Sequence, residues 1–310
     1  MKLAFVFPGQ GSQSVGMMAG FAGTTEVREV FNEASHVLGL DMWKLVEQGP
    51  AEELSSTVNT QPVMLTAGYA VYRAWQAAGG PEPAMVAGHS LGEYTALVAS
   101  GALAFRDALP LVRFRAQAMQ EAVPIGQGAM AAILGMEDDL LRAACREAAQ
   151  GQVVEAVNFN APGQVVIAGN KAAVERAVEA VKAQGAKRAI MLPVSAPFHS
   201  SLLKPAAERL ETYLAKVNFS APRIPVVNNV DVEVETDGRR IRDALARQAC
   251  NPVRWVDVIR RLAASGMGHV AECGPGKVLA GLSRRIENRL QGYAITDRQS
   301  LEQTLQALRP

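Results

Sequence analysis

The stretch Gly88-His89-Ser90-Leu91-Gly92 constrains this chain more than any other, because it joins a strand-like run to a helix with almost nothing between. Before it, Ala84-Met85-Val86-Ala87 is a short apolar run of strand type. After it, Glu93 to Ala99 reads as the first turns of an apolar-faced helix. A sharp strand-to-helix turn leaves no room for side chains beside its apex, so glycines flank the serine. Such a turn lifts the Ser90 hydroxyl above a sheet and aims the backbone N–H of Leu91 at an incoming carbonyl oxygen. Five letters alone would equally fit an ordinary turn. The strand before and the helix after carry the expectation of a nucleophilic serine.

The 310 residues suffice for one large domain, or a large domain with a smaller one. A composition of 49% hydrophobic and 20% charged residues is that of a globular protein with a substantial core. The formal net charge of +1 excludes the footprint of a nucleic-acid binder or a polybasic membrane surface. Met1 to Pro8 is too short and too soon broken for a signal peptide and reads as a strand starting at once. No apolar run approaches the ~20 residues that span a bilayer. Cys145, Cys250 and Cys273 are far apart with no paired or metal-ligand spacing, so reduced thiols, no metal site and a cytoplasmic setting are expected.

Strand-like and helix-like segments alternate, which predicts an α/β fold with a largely parallel sheet. Leu3–Phe7 reads as a strand and Glu26 to Leu38 as a helix. Gln61-Pro62 is expected to open another helix through Trp75, with the proline in its first turn. After the elbow comes a helix around Leu109 to Ala122. The middle of the chain then reads strand Ala129–Leu134, helix Asp138–Ala149, strand Val153–Asn158, strand Gln164–Ala168, helix Ala172–Gln184 and strand Arg188–Pro193. That order, βαββαβ, predicts a ferredoxin-like subdomain at 124–196, inserted into an α/β-hydrolase-like catalytic domain made of 1–123 and 197–310. A helix from Leu202 to Lys216, strands at Val226-Val227 and His269–Glu272, and a helix from Lys277 to Leu290 complete the large domain.

A serine at its ordinary pKa needs a base, and the chain has four histidines. His36 falls on a polar helix face, and His269 reads as structural. His89 adjoins the serine on a tight turn, where neighbouring side chains diverge. His199 lies in Ser195-Ala196-Pro197-Phe198-His199-Ser200, where the insertion rejoins the large domain, and such loops line clefts. It is the expected base. No Asp or Glu between Ser90 and His199 stands in a convincing strand-end loop, and Glu137-Asp138-Asp139 is explained by capping a helix. A Ser–His dyad, its ring held by a backbone carbonyl or an amide, is therefore expected rather than a triad. The loop Phe7-Pro8-Gly9-Gln10-Gly11-Ser12-Gln13 can offer a backbone N–H to complete an oxyanion hole with Leu91, or be a plain turn. It lacks the Gly-Lys-Ser/Thr ending of a phosphate loop.

Arg115 stands out on its helix, in an otherwise apolar stripe with Leu111, Ala118 and Ala122. A guanidinium facing a core needs an anionic partner. That partner is either an internal carboxylate or a substrate carboxylate gripped by the bidentate fork. Sequence leaves both open.

Together these features resemble the malonyl-CoA:acyl carrier protein transacylases of bacterial fatty acid synthesis, relatives of polyketide synthase acyltransferase domains. The resemblance covers essentially the whole chain. It rests on Phe7 to Gln13, on Gly88-His89-Ser90-Leu91-Gly92-Glu93-Tyr94, on Pro197-Phe198-His199-Ser200, on Asn158-Phe159-Asn160-Ala161-Pro162-Gly163-Gln164 and on Gly274-Pro275-Gly276. It implies a malonyl ester on Ser90, His199 moving the proton, oxyanion donors at Gln10 and Leu91, and Arg115 on the malonyl carboxylate. It implies that the main-chain carbonyl of Gln248 orients the histidine, that Gln61 and Asn158 line the pocket, and that Phe198 is of the form associated with malonyl selection. It further implies malonyl-CoA and acyl carrier protein as partners, a monomer, and no cofactor. The rivals are an esterase or thioesterase, a polyketide-pathway acyltransferase, and a non-catalytic docking module. Arg284, Arg285 and Arg289 would attract an acidic carrier domain or form a solvated face.

Overall fold

Two sheets, one parallel and one antiparallel, organise the chain, which the computed structural model describes over residues 2–194 and 196–309. Met1, Ser195 and Pro310 lie outside the described residues. The chain opens with β1 (Lys2–Phe7) and four helices, α1 (Thr25–Leu38), α2 (Met42–Gln48), α3 (Ala51–Ser55) and α4 (Thr57–Ala77). β2 (Met85–Gly88) leads through Ser90 into α5 (Leu91–Ala99) and then α6 (Phe105–Glu121). Next come β3 (Gly128–Leu134), α7 (Asp138–Ala149), β4 (Val154–Ala161), β5 (Gln164–Asn170), α8 (Lys171–Ala183) and β6 (Arg188–Met191). The remainder is α9 (Lys204–Leu214), β7 (Val226–Val227), α10 (Gly238–Gln248), α11 (Trp255–Ala264), β8 (Met267–Cys273), α12 (Val278–Ile286), β9 (Gln291–Ile295) and α13 (Arg298–Ala307).

The parallel sheet has the order β7-β2-β1-β8-β9. Its central strand β1 is apolar throughout its buried part, as expected where helices cover both faces. Phe5 and Phe7 face α4, with edge contacts to Tyr72 and Trp75. Ala4 and Val6 face the opposite layer, packing with Trp255, Ile259 and Leu262. From β1 the chain builds outward through β2 and β7 on one side, then crosses to β8 and β9 on the other. At such a switch point the loops leaving the strand ends part and open a crevice.

The antiparallel sheet has the order β4-β5-β3-β6. Period-two alternation along β3 sends Ala129, Ala131 and Ile133 under α7 and α8, and Met130 to the other face beside Val157, Val166 and Ala168. Backbone bonds from Phe159 N–H to the Val253 carbonyl and from Val253 N–H to the Val157 carbonyl tie this sheet to the segment that leads into α11.

Two helices differ from expectation in the same way. α4 begins at Thr57 and α6 at Phe105, so Pro62 and Pro110 sit inside them rather than at their openings. A proline in an early turn forfeits only its own bond to the carbonyl four residues back. The Thr60 hydroxyl stabilises the first turn of α4 by donating to the Leu54 and Ser56 carbonyls. α12 ends at Ile286, short of Leu290. Helices α2, α3, α10, α11 and α13 and strand β9 were not anticipated from sequence. No helix among the described residues is long and apolar enough to cross a membrane.

Candidate active site

The loops leaving β1, β2 and β7 converge at one edge of the parallel sheet. Ser90 forms the apex of the elbow at φ 53°, ψ −108°, a strained backbone for a residue with a Cβ. A Cβ added to Gly88 would stand 1.8 Å from the carbonyl carbon of Gly92, and one added to Gly92 would stand 2.1 Å from the Phe7 carbonyl oxygen. Both glycines are therefore dictated by the close passage of strand, turn and helix. The loop carrying His199 reaches the same point, and His199 also has a positive φ, 65°.

Ser90 Oγ and His199 Nε2 are 2.7 Å apart, and His199 Nδ1 is 2.8 Å from the Gln248 carbonyl oxygen. That carbonyl can only accept, so Nδ1 carries the proton and Nε2 presents its lone pair to the serine hydroxyl. Among the described residues no carboxylate bonds to the ring. Burial first, and the Arg115 cation second, push the imidazole down to about 3, so it is neutral and able to accept a proton.

Arg115 is 1% exposed. Its Nη1 donates to Gln61 Oε1 at 2.8 Å, and its Nη2 donates to Gln248 Oε1 at 2.8 Å and to Ser90 Oγ at 3.0 Å. All three acceptors are neutral. Among the described residues the guanidinium forms no salt bridge, and Nε completes no hydrogen bond of good geometry. Arg115 lies over the Tyr94 ring, 5.3 Å from its centroid. Glu93 is the nearest buried acid in electrostatic terms, but its Oε2 is occupied by the Asn229 N–H and Gln248 Nε2. A buried cation beside a serine, short of a counter-ion, suits an anionic ligand.

A cavity of about 550 Å³ opens over these groups. Ser90, Leu91, His199 and Arg115 form its floor together with Gln10 and Gln61. Asn158 and Phe198 line its wall, with Met119, Met130, Leu192 and Val194. Gln248 does not line it and lies behind the Arg115–His199 pair. Leu91 opens α5, where first-turn N–H groups lack intrahelical acceptors. Among the described residues neither its N–H nor that of Gln10 is used within the chain. The Gln10 side chain is turned to Thr57 Oγ1, at 3.2 Å. Asn158 Oδ1 is buried without a partner.

The remaining histidines do not bond Ser90, although His89 also lines the cavity. His89 Nε2 pairs with Asn160 Oδ1 at 2.8 Å, His269 pairs with the Tyr293 hydroxyl, and His36 is exposed. The arginines of α12 and its C-terminal flank are exposed. Arg285 donates to Gln164 and Arg289 pairs with Glu287. Sequence reasoning gave no role to Asn229, which bonds to the two elbow peptide groups leading into Ser90, or to Glu93 beyond its place in a motif. A polar Asn228-Asn229 pair directly after the buried strand β7 is the one local signal for the first.

The family model for the acyl transferase domain matches residues 4–292. The malonyl CoA-acyl carrier protein transacylase of Escherichia coli K12 is 58% identical over 306 residues, which cover 98% of this chain and 99% of that one. The crystal structure of an acyl-carrier-protein S-malonyltransferase from Burkholderia pseudomallei superposes with a TM-score of 0.97 at 65% identity, covering 99% of this chain and 100% of that one. A malonyl-transacylase determined in complex with a type II polyketide synthase acyl-carrier protein superposes with a TM-score of 0.98 at 52% identity, covering 99% and 100%.

Proposed function

The chain belongs to the acyl transferase family and is an acyltransferase, and from that premise we propose that it moves malonyl from malonyl-CoA to the phosphopantetheine thiol of acyl carrier protein in fatty acid synthesis. The observation that carries this reading is the buried guanidinium of Arg115, without a salt bridge among the described residues and 3.0 Å from Ser90 Oγ, which is itself 2.7 Å from His199 Nε2. The free malonyl carboxylate replaces the neutral acceptors on the Arg115 fork and places the thioester carbonyl over Ser90. Its charge offsets the cation that depresses His199, so the carboxylated substrate strengthens the base that takes the Ser90 proton.

Ser90 Oγ then attacks the thioester carbon while its proton passes to His199 Nε2. The resulting oxyanion is held by the Gln10 and Leu91 N–H groups. On collapse the C–S bond breaks, coenzyme A leaves as its thiol with the proton from His199, and malonyl remains as an ester on Ser90. The carrier thiol gives its proton to His199, attacks the ester carbonyl, and the second collapse returns that proton to Ser90. The two half-reactions constitute a ping-pong cycle. Gln61, Asn158 and Phe198 shape the space around the acyl group, and Gln248 sets the histidine tautomer through its carbonyl. No resident cofactor or metal is required, and the protein works as a cytoplasmic monomer. In the same reading 124–196 is a ferredoxin-like insertion into an α/β-hydrolase-like domain of 1–123 and 197–310.

Ring orientation by a carbonyl rather than a carboxylate speaks against an esterase or thioesterase. Mixing with excess malonyl-CoA should give a burst of coenzyme A equal to the enzyme, followed by discharge that depends on added thiol. Discharge into water at the same rate without thiol would sink the transferase reading. The complex of a polyketide carrier with a relative 52% identical favours one alternative, a polyketide-pathway carrier, which side-by-side transfer to the two carrier types decides.

A further inference from the structure

Ser90 adopts a backbone conformation that a residue with a side chain avoids, and the groups that hold it there lie outside the cavity. The Ser90 N–H donates to Asn229 Oδ1 at 2.7 Å, while Asn229 Nδ2 donates to the Gly88 carbonyl at 2.8 Å. One side-chain amide thus grips the two peptide groups that lead into Ser90, using its acceptor and its donor at once. Asn229 is itself fixed. Its N–H donates to Glu93 Oε2 at 2.9 Å, and its carbonyl accepts from Arg254 N–H at 3.1 Å.

Glu93 Oε2 also accepts from Gln248 Nε2 at 2.8 Å, and that same nitrogen reaches the Ser90 carbonyl at 3.0 Å. The other end of Gln248 holds Arg115 Nη2, and its main-chain carbonyl holds His199. Glu93, Asn229 and Gln248 are all buried. A single connected network therefore reaches the serine, the histidine and the arginine from behind. The turn that delivers Asn229 is built at a cost, because Val232 has φ 64°, which a β-branched residue rarely adopts. Asn228 Oδ1 secures that turn by accepting from the N–H groups of Asp231 and Val232.

We propose that Asn229 and Glu93 are positioning residues: Asn229 clamps the elbow so that Ser90 Oγ meets His199, and Glu93 locks that clamp to Gln248. Neither touches the acyl group, so their loss acts on the rate of acylation and not on the grip of Arg115 upon the substrate. This rests on the reading of Ser90 as the acylated residue.

The test is single-turnover acylation of Ser90 by malonyl-CoA, alongside thermal melting of each variant. Asn229→Ala should acylate about 10²-fold more slowly, the scale of a misplaced reacting group, with the half-saturating malonyl-CoA concentration little changed. Asn229→Asp keeps the acceptor for the Ser90 N–H but sets an oxygen against the Gly88 carbonyl, and it should fall between. Glu93→Leu should lose rate in the same way, and Glu93→Gln, whose amide oxygen can accept from both N–H groups, should recover most of it. A merely structural role would lower the melting temperature without changing the rate per folded molecule. A folded Asn229→Ala or Asn229→Asp protein acylating at the parent rate would overturn the proposal. A parent protein that takes no acyl group on Ser90 would instead overturn the functional reading beneath it.

Discussion

The two sheets meet at one cavity but contribute different materials to it. The edge of the parallel sheet supplies hydrogen-bonded polar groups on strained backbone: Ser90 at positive φ, backed by Asn229 at 2.7 Å, with His199, also at positive φ, beside it. The antiparallel sheet and the segment just after β6 supply mostly apolar wall, namely Met130, Leu192 and Val194, with Asn158 as the polar exception. The difference teaches where each kind of tolerance lies. Polar groups that must meet within about 3 Å need rigid supports with every donor and acceptor engaged. A wall that only excludes water and shapes space can change by a methylene at small cost.

The sharpest way to break this division is at Arg115. Arg115→Ala should reduce malonyl transfer by about 10⁴-fold, as when a site built around a polar partner loses it. Acetyl transfer, which offers no carboxylate, should hold or rise because the cation beside His199 has gone. Added formate should stimulate acetyl transfer by the parent protein, by occupying the guanidinium, and leave the variant unaffected. Parallel loss of malonyl and acetyl transfer would make Arg115 a structural residue.

A smaller effect concerns pH. Only the neutral imidazole of His199 can take the serine proton, and burial together with Arg115 brings that group down to about 3. The acid limb of kcat/KM, which reports the free enzyme, should therefore lie well below the ordinary histidine value of about 6.5. Arg115→Ala removes the second-largest cause of that depression and should shift the limb upward. A limb at the ordinary value in the parent would show His199 to be solvated. The smallest change is expected in the wall: Met130→Ala should alter KM for malonyl-CoA by a few-fold, on the order of 1 kcal/mol, and leave kcat nearly intact. A large fall in kcat would show that the antiparallel sheet does more than enclose.

The same contrast explains what was legible in the sequence. Ser90 was readable because its constraint is local: strand, two glycines and helix are contiguous. Arg115 was readable from helical spacing, as a charge on an apolar stripe that proves 1% exposed. The βαββαβ order of the middle was readable because each segment has a clean period. Asn229 and Glu93 were not, since their partners stand 139 and 136 residues away and nothing in the neighbouring letters requires them. Pro62 misplaced one helix start because proline suits a first turn, yet an early interior turn also tolerates it once side chains such as Thr60 take up nearby carbonyls. α10 escaped notice because arginines dominate its run and leave only a narrow apolar face.

That a strained, clamped serine carries the acyl group from one thiol to another is tested most directly by mass spectrometry after brief exposure to malonyl-CoA. The peptide bearing Ser90 should gain one malonyl group, survive in buffer, and lose it within seconds of adding carrier thiol, while Ser90→Ala gains nothing. A malonyl adduct on another residue, or a Ser90 ester that water removes as fast as thiol does, would contradict the account.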